Sequence, residues 1–434
     1  MTQTRVLIIS GKGGVGKTTV AAATASAAAQ AGQNTLVVSL DRAHNLGDVL
    51  QVTLGSSVTS VQESPNLKAM EIDPQAELSR NWGVLQQYIN RFFRYLGVNG
   101  QSAEELAVFP GLEELLVLTR LYDLAESGDY DLIVADMAPT ASSLRYLSFP
   151  DMMDGVLGGL VKWDRRIASL MRPLQGKYLK VPVPEQEVYN KLYDLAARLK
   201  NLRNLLFDVN RTAVRLVMIP ETIVLEETRR ALSYMNLFGM AVDAVVVNRI
   251  FPEEALNGYF ETWGKIQSSV LQQAEESFAG LPILKMSFQE SEVIGVPRLL
   301  STADELYGTS NPADFLQARQ PFKYLEADGQ TVLSVHLGQV NPSHVKLQRR
   351  EGDLIITVDG WRRVVTLPDS LVACSVQKAS FKAGVLVVFF SETEFSGNES
   401  NIANGDGKDR DKKTMVDKRE QLVRANAKER RKRT

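Results

Sequence analysis

Near the start of the chain, Gly11-Lys12-Gly13-Gly14-Val15-Gly16-Lys17-Thr18-Thr19 has the residue types and order needed to hold a phosphate chain. Its glycines let the backbone turn tightly and aim several N–H groups at one anion, and the N-terminus of a following helix adds partial positive charge. In such a loop Lys17 reaches the β- and γ-phosphates, the Thr18 hydroxyl serves Mg²⁺, and Thr19 sits near the α-phosphate. Carboxylates farther along supply the remaining chemistry. Asp41 and Asp48 follow the apolar run Thr35–Leu40, where a doubly wound sheet places its ligands. Asp41 is suited to hold Mg²⁺ through water, and Asp48 to orient or deprotonate an attacking water. Asp136 closes a second apolar run, Leu132–Ala135, and is placed to support the same ion.

The elements that position these groups follow from the pattern. Val6–Ile9 reads as a buried strand leading into the loop, and the alanine-rich stretch from Thr18 to Ala31 as the helix behind it. Further core strands are expected at Leu67–Ile72, Val214–Ile219, Val242–Val247 and Leu281–Met286. Between them, Trp82, Leu85, Ile89, Phe92 and Leu96 recur at helical spacing, and a helix is expected from Leu112 to about Ala125. Val188, Leu192, Leu195, Leu199, Leu202 and Leu206 form a longer amphipathic stripe. The fold class is therefore α/β: a doubly wound, mostly parallel sheet over residues 1–318, with a helical subdomain inserted at about 74–128 and 150–208. Glycines and methionines concentrate between 150 and 171. An apolar groove is expected there from Met152, Met153, Val156, Leu157, Leu160 and Met171, since methionine-bearing flexible surfaces suit variable apolar partners.

The second lysine, Lys12, gives the loop the form G-K-G-G-V-G-K-T. It resembles the deviant Walker A loop shared by partitioning and cell-division-site ATPases, nitrogenase iron protein, arsenical-pump ATPases and tail-anchored-protein targeting ATPases. That resemblance implies ATP and Mg²⁺ as cofactors and a homodimer in which Lys12 crosses to the partner's nucleotide, so that Lys12, Lys17 and Asp48 carry catalysis. The stretch from Asp41 to Asp48 is similar to the switch I segment of the targeting and pump ATPases, with Arg42 in place of the usual proline. Met137 to Leu147 keeps only the skeleton of their switch II. Pro220-Glu221 and Asn248 match the positions at which the family faces and reads adenine; an amide offers both a donor and an acceptor for that task.

After about Phe322 the pattern changes to short alternating strands, as in a small β-sandwich. Ala379–Val388 and Leu367-Pro368-Asp369 resemble the α-crystallin domain of small heat-shock proteins, and the domain is expected over 322–391. From 392 to 434 the chain is polar and finally basic, which reads as a disordered tail. The whole pattern resembles the tail-anchored-protein targeting ATPases that carry a fused α-crystallin-like domain, a form found in photosynthetic lineages. It implies a hydrophobic helix of a client membrane protein and a membrane receptor as partners, handled by an ATP-gated dimer. The alternative is the ATPase subunit of an arsenical or anion efflux pump.

Composition limits these readings. The net charge of -2 argues against a nucleic-acid partner, and the 434 residues hold a single cysteine, Cys374. One thiol cannot build a metalloid-binding thiolate site or a cluster within one chain, and without a C-x-x-C pair no zinc is expected. No run reaches the roughly 18 apolar residues of a membrane span, and no secretory leader opens the chain, so a cytoplasmic protein is expected.

Overall fold

A computed structural model describes residues 3–40, 45–74, 76–77, 112–137, 186–317, 320–327, 330–350, 352–394 and 401–402. Its first layer is an eight-stranded sheet in the order β3-β4-β2-β5-β1-β6-β7-β8. The strands are β1 (Arg5–Ser10), β2 (Thr35–Ser39), β3 (Thr59–Ser60), β4 (Leu67–Glu71), β5 (Leu132–Asp136), β6 (Thr212–Met218), β7 (Val242–Ile250) and β8 (Ile283–Ser287). All pair in parallel except β3, a two-residue edge strand running antiparallel to β4. Val6 to Ile9 are wholly buried because β1 lies mid-sheet with both faces covered, which is why this run is continuously apolar rather than alternating.

Helix α1 (Lys17–Gln30) packs on that sheet through alanines such as Ala21, Ala22 and Ala25, whose small side chains allow close approach. The other described helices used below are α2 (Leu46–Leu50), α3 (Leu112–Glu126), α4 (Gln186–Phe207), α5 (Thr222–Phe238), α6 (Glu261–Ser277) and α7 (Val296–Tyr307). In α4 the expected stripe is buried at its C-terminal end: Leu199, Leu202 and Leu206 are at most 2% exposed and join the core of the sheet domain.

A fully buried ion pair ties this domain together. Arg215 on β6 reaches Asp243 on β7 at 3.2 Å with both side chains at zero exposure. Arg215 also donates to the carbonyls of Pro312 and Asp314 and to the Tyr307 hydroxyl. Burial alone would lower the guanidinium pKa, but Tyr307 and then Asp243 outweigh it and hold Arg215 charged. Tyr307 bonds in turn to Thr24, 2.6 Å away on α1.

The C-terminal part is a sandwich of two four-stranded antiparallel sheets, β14-β15-β10-β9 and β13-β12-β11-β16. Its strands are β9 (Phe322–Ala327), β10 (Gln330–His336), β11 (Val345–Arg350), β12 (Asp353–Val358), β13 (Trp361–Thr366), β14 (Cys374–Lys382), β15 (Val385–Glu394) and β16 (Asn401–Ile402). The sandwich thus continues past Ser391, where the sequence reading ends it. β15 runs on to Glu394, which pairs with Cys374, and β16 adds a short pairing to β11 at Leu347 and Gln348. The last residues of β15 and the two of β16 are mostly polar and give no burial signal, so composition placed that end too early. Residues 403–434 lie outside the described residues.

Candidate nucleotide site

The phosphate loop leaves β1 and enters α1 as the spacing predicts. Gly16 caps α1 in the left-handed region, φ +92°, with no side chain closing the first turn, so the N–H groups there face the loop. Gly11 lies hard against β6: a Cβ there would stand 2.1 Å from the Val217 carbonyl oxygen. Gly13 and Gly14 are exposed at the mouth. The Lys17 side chain is buried, and its ammonium donates to the Lys12 carbonyl at 3.4 Å. Thr18 donates its hydroxyl to Asp136 Oδ2 at 2.6 Å, joining the head of α1 to the end of β5. Two hard oxygens side by side, on a hydroxyl and a carboxylate, suit Mg²⁺, which binds through one or two protein oxygens and keeps several waters. When bound, such an ion would neutralise charge on the phosphate oxygens. Thr19 is half-buried in the first turn of α1.

Asp48 sits exposed in the first turn of α2. Its neighbour Gly47 donates its N–H to Glu71 Oε1 at 3.0 Å, so the end of β4 anchors this short helix. Asp41, the altered switch II beyond Met137, and the groove residues Met152, Met153, Val156, Leu157, Leu160 and Met171 lie outside the described residues.

Asn248 takes a place its residue type alone does not reveal. The β7–β8 register breaks between Val247 and Ile250, and Arg249 adopts φ +57°. A bulge of this kind re-aims side chains. Here the Asn248 amide donates to the Val15 carbonyl at 2.8 Å and accepts from the Arg249 N–H at 2.6 Å, so in this arrangement it braces the phosphate loop. Beside it, a cavity of about 150 Å³ opens between Pro220, Glu221, Arg249, Phe251, Trp263 and Phe288. Phe251 is stacked between Phe260 and Phe288, with ring centroids 5.5 and 5.2 Å away. The Gln267 amide fixes its backbone by bonding both the N–H and the carbonyl of Phe251. A flat, aromatic-walled slot beside a phosphate loop suits a purine base.

The sequence reading assigned Pro220 and Glu221 to this region but missed its aromatic wall, which comes from three separate segments. It also missed Glu71 and Glu227. Glu227 on α5 holds the Lys12 ammonium at 3.3 Å, so Lys12, expected to cross to a partner, is paired within its own chain here.

A family model described as "Anion-transporting ATPase" matches residues 4–308, the span that carries this site. The chain belongs to the anion-transporting ATPase family. A second model, "HSP20-like domain found in ArsA", matches residues 328–390, within the sandwich. As a family member with an intact phosphate loop, the chain is an ATP hydrolase. Among relatives, "Putative arsenical pump-driving ATPase 1" of Aquifex aeolicus is 33% identical over 89% of this chain and all of that protein. A protein of corresponding name in Chlorobaculum tepidum is 35% identical over 87% of this chain and 94% of its own length. "ATPase ASNA1 homolog 1" of Paramecium tetraurelia is 29% identical over 68% of this chain and 89% of its own length. The two bacterial relatives are thus similar to this chain over more than the ATPase domain alone.

Proposed function

We propose that this ATPase uses Mg²⁺ and ATP to drive the closing and opening of a pair of identical chains in the cytoplasm, and that the cycle serves a membrane partner. The observation that carries the nucleotide half is the Thr18–Asp136 contact at 2.6 Å beneath the Lys17 loop. Asp48 then acts as the group that orients or deprotonates the attacking water. The adenine lies in the slot between Pro220-Glu221 and the Phe251 stack, with Asn248 bracing the loop beside it.

Two outputs for this cycle have specific support. The names of the full-length relatives favour a pump-driving subunit, the reading held second on sequence grounds. The single cysteine favours the other, in which the helical insert shelters an apolar helix of a client membrane protein, because one thiol cannot form a metalloid-triggering thiolate site. One pair of measurements separates them. Arsenite- or antimonite-stimulated ATP turnover identifies the pump-driving reading. ATP-dependent capture of a tail-anchored protein by the Asp48→Asn chain, lost when the protein's terminal apolar helix is deleted, identifies the client reading. If Asp48 is the general base, Asp48→Asn slows hydrolysis by roughly 10²- to 10⁴-fold while ATP still binds. Unchanged turnover removes Asp48 from the mechanism.

A further inference from the structure

The helix α5 begins at the nucleotide site and ends on the sandwich. Its N-cap is Glu221, which lines the base slot. It then runs for 17 residues without an internal glycine or proline, a rigid rod roughly 25 Å long. Val224, Leu225 and Met235 bury one side in the core of the ATPase domain. Positions 227, 234 and 238, spaced seven and eleven residues along, share another side.

Glu227 on that side grips Lys12 at 3.3 Å. Two turns on, Tyr234 lies against Trp361 of β13 with ring centroids 4.7 Å apart. One turn farther, Phe238 meets the same indole edge-on at 6.1 Å. Leu237 is fully buried in the core of the sandwich itself. The residue that holds the loop lysine and the residues that hold the sandwich therefore stand on one stiff helix, roughly 10 Å apart.

Lys12 belongs to the phosphate loop, yet its charge is spent on Glu227. An arriving polyphosphate must compete with that carboxylate for the ammonium. We propose that Glu227 is a positioning residue that restrains Lys12 until the nucleotide site fills, and that the sandwich, through Trp361 and α5, sets how firmly it does so. Both ends of the Lys12–Glu227 pair are more than a third exposed, so the restraint is weak and sensitive to salt, as a tunable contact must be. This rests on the loop being the ATP site.

The test is ATP affinity and turnover in the full-length chain, measured for the wild type, Glu227→Gln, Trp361→Phe and the double variant. The expected result is a two- to fivefold lower ATP dissociation constant in Glu227→Gln. The ratio to wild type should shrink towards one at about 0.5 M salt, where an exposed pair is screened; a purely structural role for Glu227 would not give that salt dependence. Trp361→Phe keeps an aromatic ring in the interface but loses the indole's reach and N–H, and should shift affinity in the same direction by a smaller factor. The double variant should match Glu227→Gln alone, since both changes release one restraint. Equal affinity in wild type and Glu227→Gln at low salt overturns the proposal. Multiplying effects in the double variant overturn the part given to the sandwich. Absence of ATP binding by the wild type would instead sink the nucleotide-site reading.

Discussion

At the residue scale, the phosphate loop shows why equal letters in a sequence do unequal work. The loop has four glycines, Gly11, Gly13, Gly14 and Gly16, but their surroundings differ. A Cβ at Gly16 would stand 2.3 Å from Asn248 Nδ2, an atom already committed to Val15, in a backbone with φ +92°. A Cβ at Gly13 would meet nothing within 4 Å. Gly16→Ala is therefore expected to destabilise the fold by about 1–3 kcal/mol and to dislodge the Asn248 brace. Gly13→Ala should stay within about 0.5 kcal/mol of wild type. Thermal or urea unfolding of the two variants reads the difference, and equal midpoints would show that Asn248 does not fix the loop. The motif itself was plain in the sequence. The brace was not, because it depends on a break in strand register 232 residues beyond Gly16 that no local pattern announces.

At the scale of elements, the sheet holds its strands together by more than apolar burial. Arg215 and Asp243 face each other across β6 and β7 with no access to water, and the arginine also gathers the carbonyls of Pro312 and Asp314. The chain leaving α7 is thereby fastened to the sheet before it enters the sandwich. Removing one partner leaves a buried charge uncompensated, so Arg215→Met or Asp243→Leu should each cost about 3–5 kcal/mol. The double variant should cost clearly less than the two together, though not nothing, since the two carbonyls lose their donor. A double-mutant cycle by urea unfolding measures the coupling, and additive losses would refute it. Strands such as Val6–Ile9 and Leu132–Ala135 were legible because continuous apolar runs mark a sheet covered on both faces. This pair was not: a charged residue within a strand reads as solvent-facing until its partner on the next strand is seen. The edge strand Thr59–Ser60 was likewise silent, being too short and polar to carry any periodicity.

At the scale of the whole molecule, the sandwich is attached to the ATPase domain through aromatic and cationic contacts. Trp361 fills the angle between Tyr234 and Phe238, while Arg363 lies over Phe207 at the end of α4 and over Phe322 on β9. The sandwich thus touches both the helix that leads from the base slot and the long helix of the insert. Its alternating strands could be read from sequence, but which side they turn to the ATPase domain could not, because Trp361 and Arg363 look like ordinary strand residues until the helices beneath them are placed. This junction has a pH signature. Burial, reinforced by the charge of Asp359, raises the Tyr234 pKa above its ordinary 10.0 even though the Trp361 indole beside it pulls the other way. The folded state therefore keeps the phenol proton longer than the unfolded chain does. The contribution of Tyr234 is whole below pH 10 and declines as the pH climbs from there through the raised folded value. Tyr130 and Tyr324 are raised by burial as well, so the wild type loses stability in strong base for more than one reason. The difference between chains isolates the junction: between about pH 9 and 11 the urea midpoint of Tyr234→Phe should fall less steeply than that of the wild type. Parallel declines would mean that Tyr234 titrates freely, and that the sandwich does not hold α5 as tightly as the stacked rings require.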